Sequence, residues 1–258
     1  MTCEKRLLAG ESVRVSVVTA CYNSASTIGT TIQSVNAQSY GNLEHVFIDG
    51  YSSDETLNII SAFAQDDHSV LSEPDNGIYD ALNKGIARAT GDVVGFLHAD
   101  DFYADDEVIN LIAACFRRPE VQAVYGDLQY VSQSDTNKVI RTWNTRAFTP
   151  SRLKFGWMPP HPTLYVRREW YERIGGFDNR YRISSDYLSI LRFFSNPDFN
   201  SVYLPKVLVQ MRAGGVSNRS LKNIIQKSRE DKAALKSAGV GGLGTLLSKN
   251  LRKIGQFF

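Results

Sequence analysis

The order of apolar and polar positions divides the chain into alternating elements. Val13–Thr19 is a short β-branched run, the composition of a strand buried on both faces. It ends in Cys21-Tyr22-Asn23-Ser24, after which a helix is expected from about Ser26 to Gln38. Leu43–Asp49 predicts a second strand, running into Gly50-Tyr51-Ser52-Ser53-Asp54, which offers N-caps ahead of Leu57, Ile59 and Ile60. Ile78–Ala89 reads as a helix, Asp92–Leu97 as a strand, and Asp105 as the N-cap of a helix through Phe116. Strand, polar loop and helix, three times over, predict an α/β domain with a mostly parallel sheet flanked by helices. Ligands bind such sheets beyond the carboxyl ends of the strands. The loops after Thr19, Asp49 and Leu97 are therefore expected on one rim, gathering Tyr22, Asn23, Asp49, Ser52, Asp54, Asp100 and Asp101.

The second half is less regular. Strands are expected near Val121–Tyr125, Lys138–Trp143 and Thr163–Arg167, and helices near Glu169–Ile174 and Asp186–Phe194. A Pro-rich loop from Gly156 to Pro162 precedes the third of these strands. No Gly- or Ser-rich linker separates the halves, so residues 1–218 read as one domain and 219–258 as a helical tail.

Composition narrows the class. With 258 residues, 43% of them hydrophobic, the chain can bury a full core. No apolar run approaches the roughly 18 residues of a membrane-spanning helix. The first residues have no apolar h-region, so no secretory signal is expected. Cys3, Cys21 and Cys115 lack CxxC spacing and suggest neither disulfides nor zinc, as in a cytoplasmic protein. The net charge of +2 conceals an asymmetry: nine Lys/Arg against two Asp/Glu give residues 219–258 a charge of +7, leaving −5 for the rest. A basic tail on an acidic body predicts an anionic partner for the tail.

Several segments carry candidate chemistry. His98-Ala99-Asp100-Asp101 follows an apolar strand, and two carboxylates at a strand end suit a hard divalent cation; the pair could equally form a turn capping the next helix. Tyr22 could stack on a nucleobase, and Asp49 could accept from its N–H or from ribose. Glu73-Pro74-Asp75-Asn76-Gly77 precedes a helix start, where backbone N–H groups can meet anions, or is a plain turn. Asp186, in Ser184-Ser185-Asp186-Tyr187, is either a first-turn acid favoured by the helix dipole or a general base for an acceptor hydroxyl. His161, between Pro160 and Pro162, could reach a phosphate or a metal, or be an ordinary loop histidine.

Together these segments resemble family 2 glycosyltransferases, enzymes of the GT-A (Rossmann-like) fold, from about Val13 to Ser217. The resemblance is carried by Val17-Val18-Thr19-Ala20-Cys21-Tyr22-Asn23, Ile48-Asp49-Gly50-Tyr51-Ser52-Ser53-Asp54, and the run from Asp75 through Asn83-Lys84-Gly85. Phe96-Leu97-His98-Ala99-Asp100-Asp101, His161-Pro162-Thr163, Gly175-Gly176-Phe177-Asp178, Ser185-Asp186-Tyr187 and Gly214-Gly215-Val216-Ser217 follow in order. It implies a nucleotide-sugar donor, Mn²⁺ or Mg²⁺ held through an Asp-x-Asp-like motif, and inversion by direct displacement. It places Asp100 on the metal, with Asp101 beside it, and Asp186 on the catalytic base. Thr19, Tyr22, Asn23, Asp49, Ser52, Asp54, Asn76, Lys84 and His161 fall on the nucleotide-sugar side, and Gly214–Ser217 on a closing loop. Two departures stand out. His98 occupies the first acidic position of the metal motif, and Asp49-Gly50 replaces the Asp-Asp of many relatives, leaving the donor base open among UDP, GDP and dTDP.

The Asp75–Lys84 run is similar to that of enzymes building bacterial exopolysaccharide, capsule or O-antigen, which implies a lipid-linked saccharide acceptor. The tail agrees: as a helix, Leu243, Leu246, Leu247, Leu251, Ile254, Phe257 and Phe258 fall within roughly 140°. A basic amphipathic helix of this kind rests on an anionic membrane surface, or docks on the body or a second subunit. The expectation is a cytoplasmic protein, peripheral on the inner face of the cell membrane, with a homo-oligomer as the other use of the tail. A nucleotidyltransferase would want a Gly-, Lys- or Arg-bearing loop after the first strand, and Thr19–Ser26 has none. Nucleic-acid binding is disfavoured by the acidic body and the lack of a stacking platform. A degenerate, non-catalytic sugar-nucleotide or glycan binder remains as the alternative, supported by His98.

Overall fold

A computed structural model describes residues 12–214 and 221–254. The first half alternates β1 (Val15–Cys21), α1 (Ile28–Asn36), β2 (Leu43–Asp49), α2 (Thr56–Phe63), β3 (His68–Ser72), α3 (Ile78–Arg88) and β4 (Val93–Phe96), with β3 added to the expected strands. These four strands pair in parallel in the order β3-β2-β1-β4. Short β5 (Asp101–Tyr103) and α4 (Val108–Phe116) follow. Asp105 lies ahead of α4 but is not its N-cap, which is Glu107; the Asp105 carboxylate accepts from the Glu107 N–H at 3.1 Å.

The second half turns the sheet mixed. It supplies β6 (Ala123–Val131), β7 (Val139–Trp143), α5 (Pro150–Leu153), β8 (Tyr165–Arg167), α6 (Arg168–Ile174), α7 (Ser185–Phe194) and β9 (Ser201–Arg212). The Pro-rich loop contains one 3₁₀ turn, His161–Thr163. The full order is β3-β2-β1-β4-β8-β6-β9-β5, with β7 beside β6. Strands β8 and β5 join antiparallel to β4 and β9, whereas β6 and β9 run parallel. The β6–β9 register shifts at Gly126, opposite the stretch holding Pro205. A bulge is where a strand tolerates proline, which cannot donate to the ladder.

Alternate residues of β1 feed opposite cores. Val18 and Ala20 pack with Tyr79 and Leu82 of α3 and with Tyr187, Leu188 and Leu191 of α7. Val15 and Val17 pack with Val108, Ile109 and Ile112 of α4. A third cluster joins Cys21, Ile28, Ile32, Phe47 and Ile60 beneath α1 and α2. The tail forms α8 (Leu221–Ser237) and α9 (Leu243–Ile254), and α8 buries Ala234 and Leu235 in the same core as α7. Among the described residues no helix is long and apolar enough to cross a membrane.

Close approach of β4 to β8 requires Gly95, where a Cβ would lie 2.1 Å from the Tyr165 ring. Overpacking a well-filled core costs about 1–3 kcal/mol. Gly95→Ala is expected to lower stability by that order in urea unfolding; an unchanged midpoint would show that Tyr165 can yield.

Candidate functional site

Parallel register assembles the rim. Cys21 pairs with Asp49 and Asp49 with Ser72, while the Leu97 N–H donates to the Val18 carbonyl at 3.0 Å. The loops after β1, β2, β3 and β4 therefore leave the sheet on one side.

The first two loops are laced together by their polar side chains. Asp49 is fully buried. Its carboxylate accepts from the Ser52 N–H at 3.0 Å, from Ser52 Oγ at 2.5 Å and from Ser72 Oγ at 2.6 Å. Ser52 Oγ in turn accepts the Asn23 N–H at 2.8 Å, and Asn23 Oδ1 accepts the Ser53 N–H at 2.9 Å. Asp54 accepts from the N–H of Ala25 and from Thr56, whose hydroxyl lowers the Asp54 pKa. Asn23 (φ 48°) and Tyr51 (φ 67°) sit in the left-handed region. Such strain persists where the surroundings over-determine the backbone, often at ligand sites. Asp49, Ser52, Asn23 and Asp54 thus shape the rim, and Tyr22 and Tyr51 stand exposed on it, at 64% and 68%.

Several expected contacts lie elsewhere. Thr19 shares the parity of Val17, so its hydroxyl is buried at 2.9 Å from His45 Nε2 instead of facing the rim. Lys84 is engaged within its own neighbourhood: Nζ donates to the Pro74 carbonyl at 3.0 Å and pairs with Glu73 at 2.8 Å. Asn76 is exposed, but its N–H is taken by Asp80 and that of Gly77 by Asp75, so these turn amides do not await an anion. Gly50 acquires a reason here. A Cβ at that position would lie 2.7 Å from Asp75 Oδ2 and 3.4 Å from the Tyr22 ring, so the Asp75 carboxylate occupies the space a longer residue would need. Asp75 and Tyr51 also stand at this rim, within segments the sequence offered as turns rather than as individual ligand groups.

The end of β4 separates the two carboxylates of the metal motif. Asp100 is exposed, whereas Asp101 is fully buried within β5. Neither Asp101 oxygen has a hydrogen-bond partner, and burial pushes its pKa well up. Alternation in β5 turns Asp101 inward with Tyr103, whereas Asp100 stays exposed. Half-buried His98 lies within electrostatic reach of Asp100 and Asp186, and burial lowers its pKa against their pull. Among the described residues no three His, Cys, Asp or Glu side chains gather as a metal cage. One exposed carboxylate does fit an ion of the Mg²⁺ type, which is commonly held by one or two carboxylates plus substrate phosphates.

Asp186, from the distant α7, joins this end of the sheet half-buried. Tyr79 OH of α3 lies 3.0 Å from Asp186 Oδ1 and 2.8 Å from the Ile183 carbonyl. His161 is buried against Phe96, ring centroids 5.2 Å apart, with its Nε2 unpartnered and its ring 6.2 Å from that of His98. It is a floor beneath His98 rather than an exposed phosphate ligand. A cleft of about 240 Å³ opens between Asn76–Asp80 and Asn179, Tyr181 and Arg182. Residues 215–217 of the expected closing loop lie outside the described residues.

Polar loops gathered at the carboxyl ends of parallel strands, with Asp186 reaching them from the second half, form an arrangement of the GT-A type. Comparison with known proteins agrees: the family described as Glycosyl transferase family 2 matches residues 16–184, and the chain belongs to that family. A "PGL/p-HBAD biosynthesis glycosyltransferase" of Mycobacterium tuberculosis is 33% identical over 211 residues, covering 79% of this chain and 78% of its own. Among solved structures, S. aureus TarS 1-349 in complex with UDP-GlcNAc has a TM-score of 0.69 at 17% identity, over 94% of this chain and 73% of that one. The mannosyltransferase PcManGT of Pyrobaculum calidifontis, in complex with GDP-Man and Mn²⁺, has a TM-score of 0.65 at 19% identity, over 93% and 70%.

Burial lowers the pKa of His45 to about 3 and of His161 to about 4, from 6.5. Between these values the unfolded chain binds more protons than the folded one, so stability is full above about pH 6.5 and falls with acidification toward pH 3–4. Each unit costs about 1.4 kcal/mol per histidine. The melting temperature should drop over this window, and His45→Gln should flatten the decline; an identical slope in the variant would remove His45 from it.

Proposed function

We propose that this chain is an inverting glycosyltransferase that moves a sugar from a nucleoside-diphosphate donor to a hydroxyl of a lipid-linked saccharide during synthesis of bacterial surface polysaccharide. The observation that carries this reading is Asp186 in the first turn of α7, held 3.0 Å from Tyr79 OH of α3 and within electrostatic reach of His98, which also feels Asp100. Asp186 takes the proton of the acceptor hydroxyl as general base. The freed oxygen lone pair attacks the anomeric carbon as the bond to the diphosphate oxygen breaks, so the configuration inverts. Tyr79 orients Asp186 through the 3.0 Å contact. Tyr22 and Tyr51 offer faces for the donor base, and the Asp75 carboxylate beside Gly50 offers an acceptor for a ring N–H. These favour a UDP-, GDP- or dTDP-sugar, since uracil, guanine and thymine each carry such a hydrogen. Mn²⁺ or Mg²⁺ held through Asp100 would neutralise charge on the departing diphosphate. The donors bound by TarS and PcManGT support the substrate class.

The tail supports a peripheral position on the inner face of a membrane. Leu243, Leu247 and Leu251 form one row of α9 and are 67%, 62% and 56% exposed. Exposed apolar side chains on a basic helix suit an anionic interface. A second reading, a non-catalytic sugar-nucleotide or glycan binder, rests on His98 in place of an acid.

A thermal-shift screen with UDP, GDP, dTDP and CMP, with and without Mn²⁺, tests donor and metal together. One nucleotide is expected to raise the melting temperature in a metal-dependent way. Asp186→Asn should keep that shift while lowering transfer to a small residual rate; full transfer by the variant would strike Asp186 from the mechanism, and absence of donor turnover in the wild type would favour the binding module.

Replacing Leu243, Leu247 and Leu251 by Ser should release the protein from phosphatidylglycerol vesicles in a flotation assay. Wild-type protein that fails to float but sediments as a dimer would assign the leucines to a second copy instead.

A further inference from the structure

The tail does more in this structure than present leucines. Ser184, the N-cap of α7, makes no side-chain capping bond, and its hydroxyl is buried without a partner. The cap comes from 46 residues further along the chain. Glu230 of α8 accepts three successive backbone N–H groups: Arg182 at 3.1 Å on Oε1, Ile183 at 2.8 Å and Ser184 at 3.0 Å on Oε2. Gln226, one turn earlier on α8, donates to Oε1 at 2.9 Å and orients the carboxylate. Successive N–H groups ahead of a helix form a concavity suited to an anion. Here that anion is a side chain of the protein itself.

The turn so held is the one that presents Asp186. Ile183 is held on both sides, its N–H by Glu230 and its carbonyl by Tyr79, whose hydroxyl also contacts Asp186. Glu230 is itself fixed through its neighbour. Asp231 pairs with Lys249 of α9 at 2.8 Å, with the side chains only 3% and 5% exposed, and Lys249 Nζ sits 3.2 Å over the ring of Tyr187, next to Asp186. A buried ion pair gains little net stability because both charges are desolvated, but it fixes a register. Further ties hold α9 to the body: Thr245 Oγ1 donates to the Lys154 carbonyl and Ser248 Oγ to that of Phe155. Gly156 (φ 71°) lets α9 approach, since a Cβ there would lie 2.7 Å from Lys249 backbone.

We propose that Glu230 is a positioning residue for Asp186, which makes α8 and α9 working parts of the transfer site. The proposal rests on reading Asp186 as the general base. Displacing a base by a fraction of an ångström costs rate without costing donor affinity.

The test combines Glu230→Gln, Asp186→Asn and their double variant in the full chain. Release of UDP from UDP-GlcNAc, or of GDP from GDP-mannose, is followed with water as acceptor. Glu230→Gln should lower kcat roughly ten- to a hundredfold and leave donor KM within about twofold. It should cost nothing further in the Asp186→Asn background, because residues acting as one unit are not additive. A second measurement needs no substrate: amide hydrogen exchange at 182–184 should quicken in Glu230→Gln while 188–194 stay protected. Unchanged exchange at 182–184, or unchanged kcat in Glu230→Gln when Asp186→Asn is inactive, overturns the positioning role alone. A further loss on top of Asp186→Asn, or equal losses in kcat and donor affinity, makes the role general stability and overturns it too. Full activity of Asp186→Asn is the separate failure of the base assignment. If Glu230→Gln does not fold at the assay temperature, Glu230→Asp, one methylene short of the three amides, should show the same split in smaller measure.

Discussion

Parallel pairing of β1 with both β2 and β4 is the constraint on which the site depends. It brings Cys21 level with Asp49 and carries Leu97 past Val18, so that loops of quite different sequence emerge together. Each loop alone is a polar turn. Held side by side, they can satisfy one another, and the buried carboxylate of Asp49 does this by collecting Ser52 and Ser72. An unpartnered carboxylate at that depth would cost several kcal/mol; bonded as it is, it stiffens two loops at once. The left-handed residues Asn23 and Tyr51 sit within these two loops.

The second half works differently. It adds β6, β8 and β9 to the sheet and so carries α7 over the same core that α3 occupies. Asp186 thereby arrives at the end of β4 from nearly 90 residues away in sequence. Within its electrostatic reach, His161 lies in ring contact with Phe96 and Phe177. Burial keeps the His161 imidazole neutral, so the floor carries no charge to compete with Asp100 and Asp186. Among the cations nearby, Lys84 pairs with Glu73, Lys249 pairs with Asp231, and Arg212 donates to the Asp100 carbonyl, while Arg182 lines the cleft.

The tail shows how a charged, amphipathic segment can serve two neighbours. Its inward face carries Thr245 and Lys249 beside Leu246, which leaves the expected apolar arc to pack on the core, and the Leu243, Leu247 and Leu251 row faces out. A helix whose only task was to cover the body would be expected to reverse these faces.

Much of this was legible from residues alone. The β-branched runs Val13–Thr19 and Leu43–Asp49, with their polar endings, determined the first strands and the location of the rim, because strand propensity and loop polarity are local properties. The ordered motifs from Val17 to Asp186 determined the family. Edge strand β3 is only five residues long and β9 is interrupted by Pro205, so neither stands out as one continuous apolar run. Only tertiary structure decided which side chains face the site. Parity along β1 turned Thr19 toward His45, and alternation in β5 buried Asp101 while leaving Asp100 outside. Neighbouring charges claimed Lys84, and Asp75 filled the space beside Gly50. Sequence sets which groups are available. Where each one points is set by the packing of both faces of the sheet at once, a property that no single segment contains.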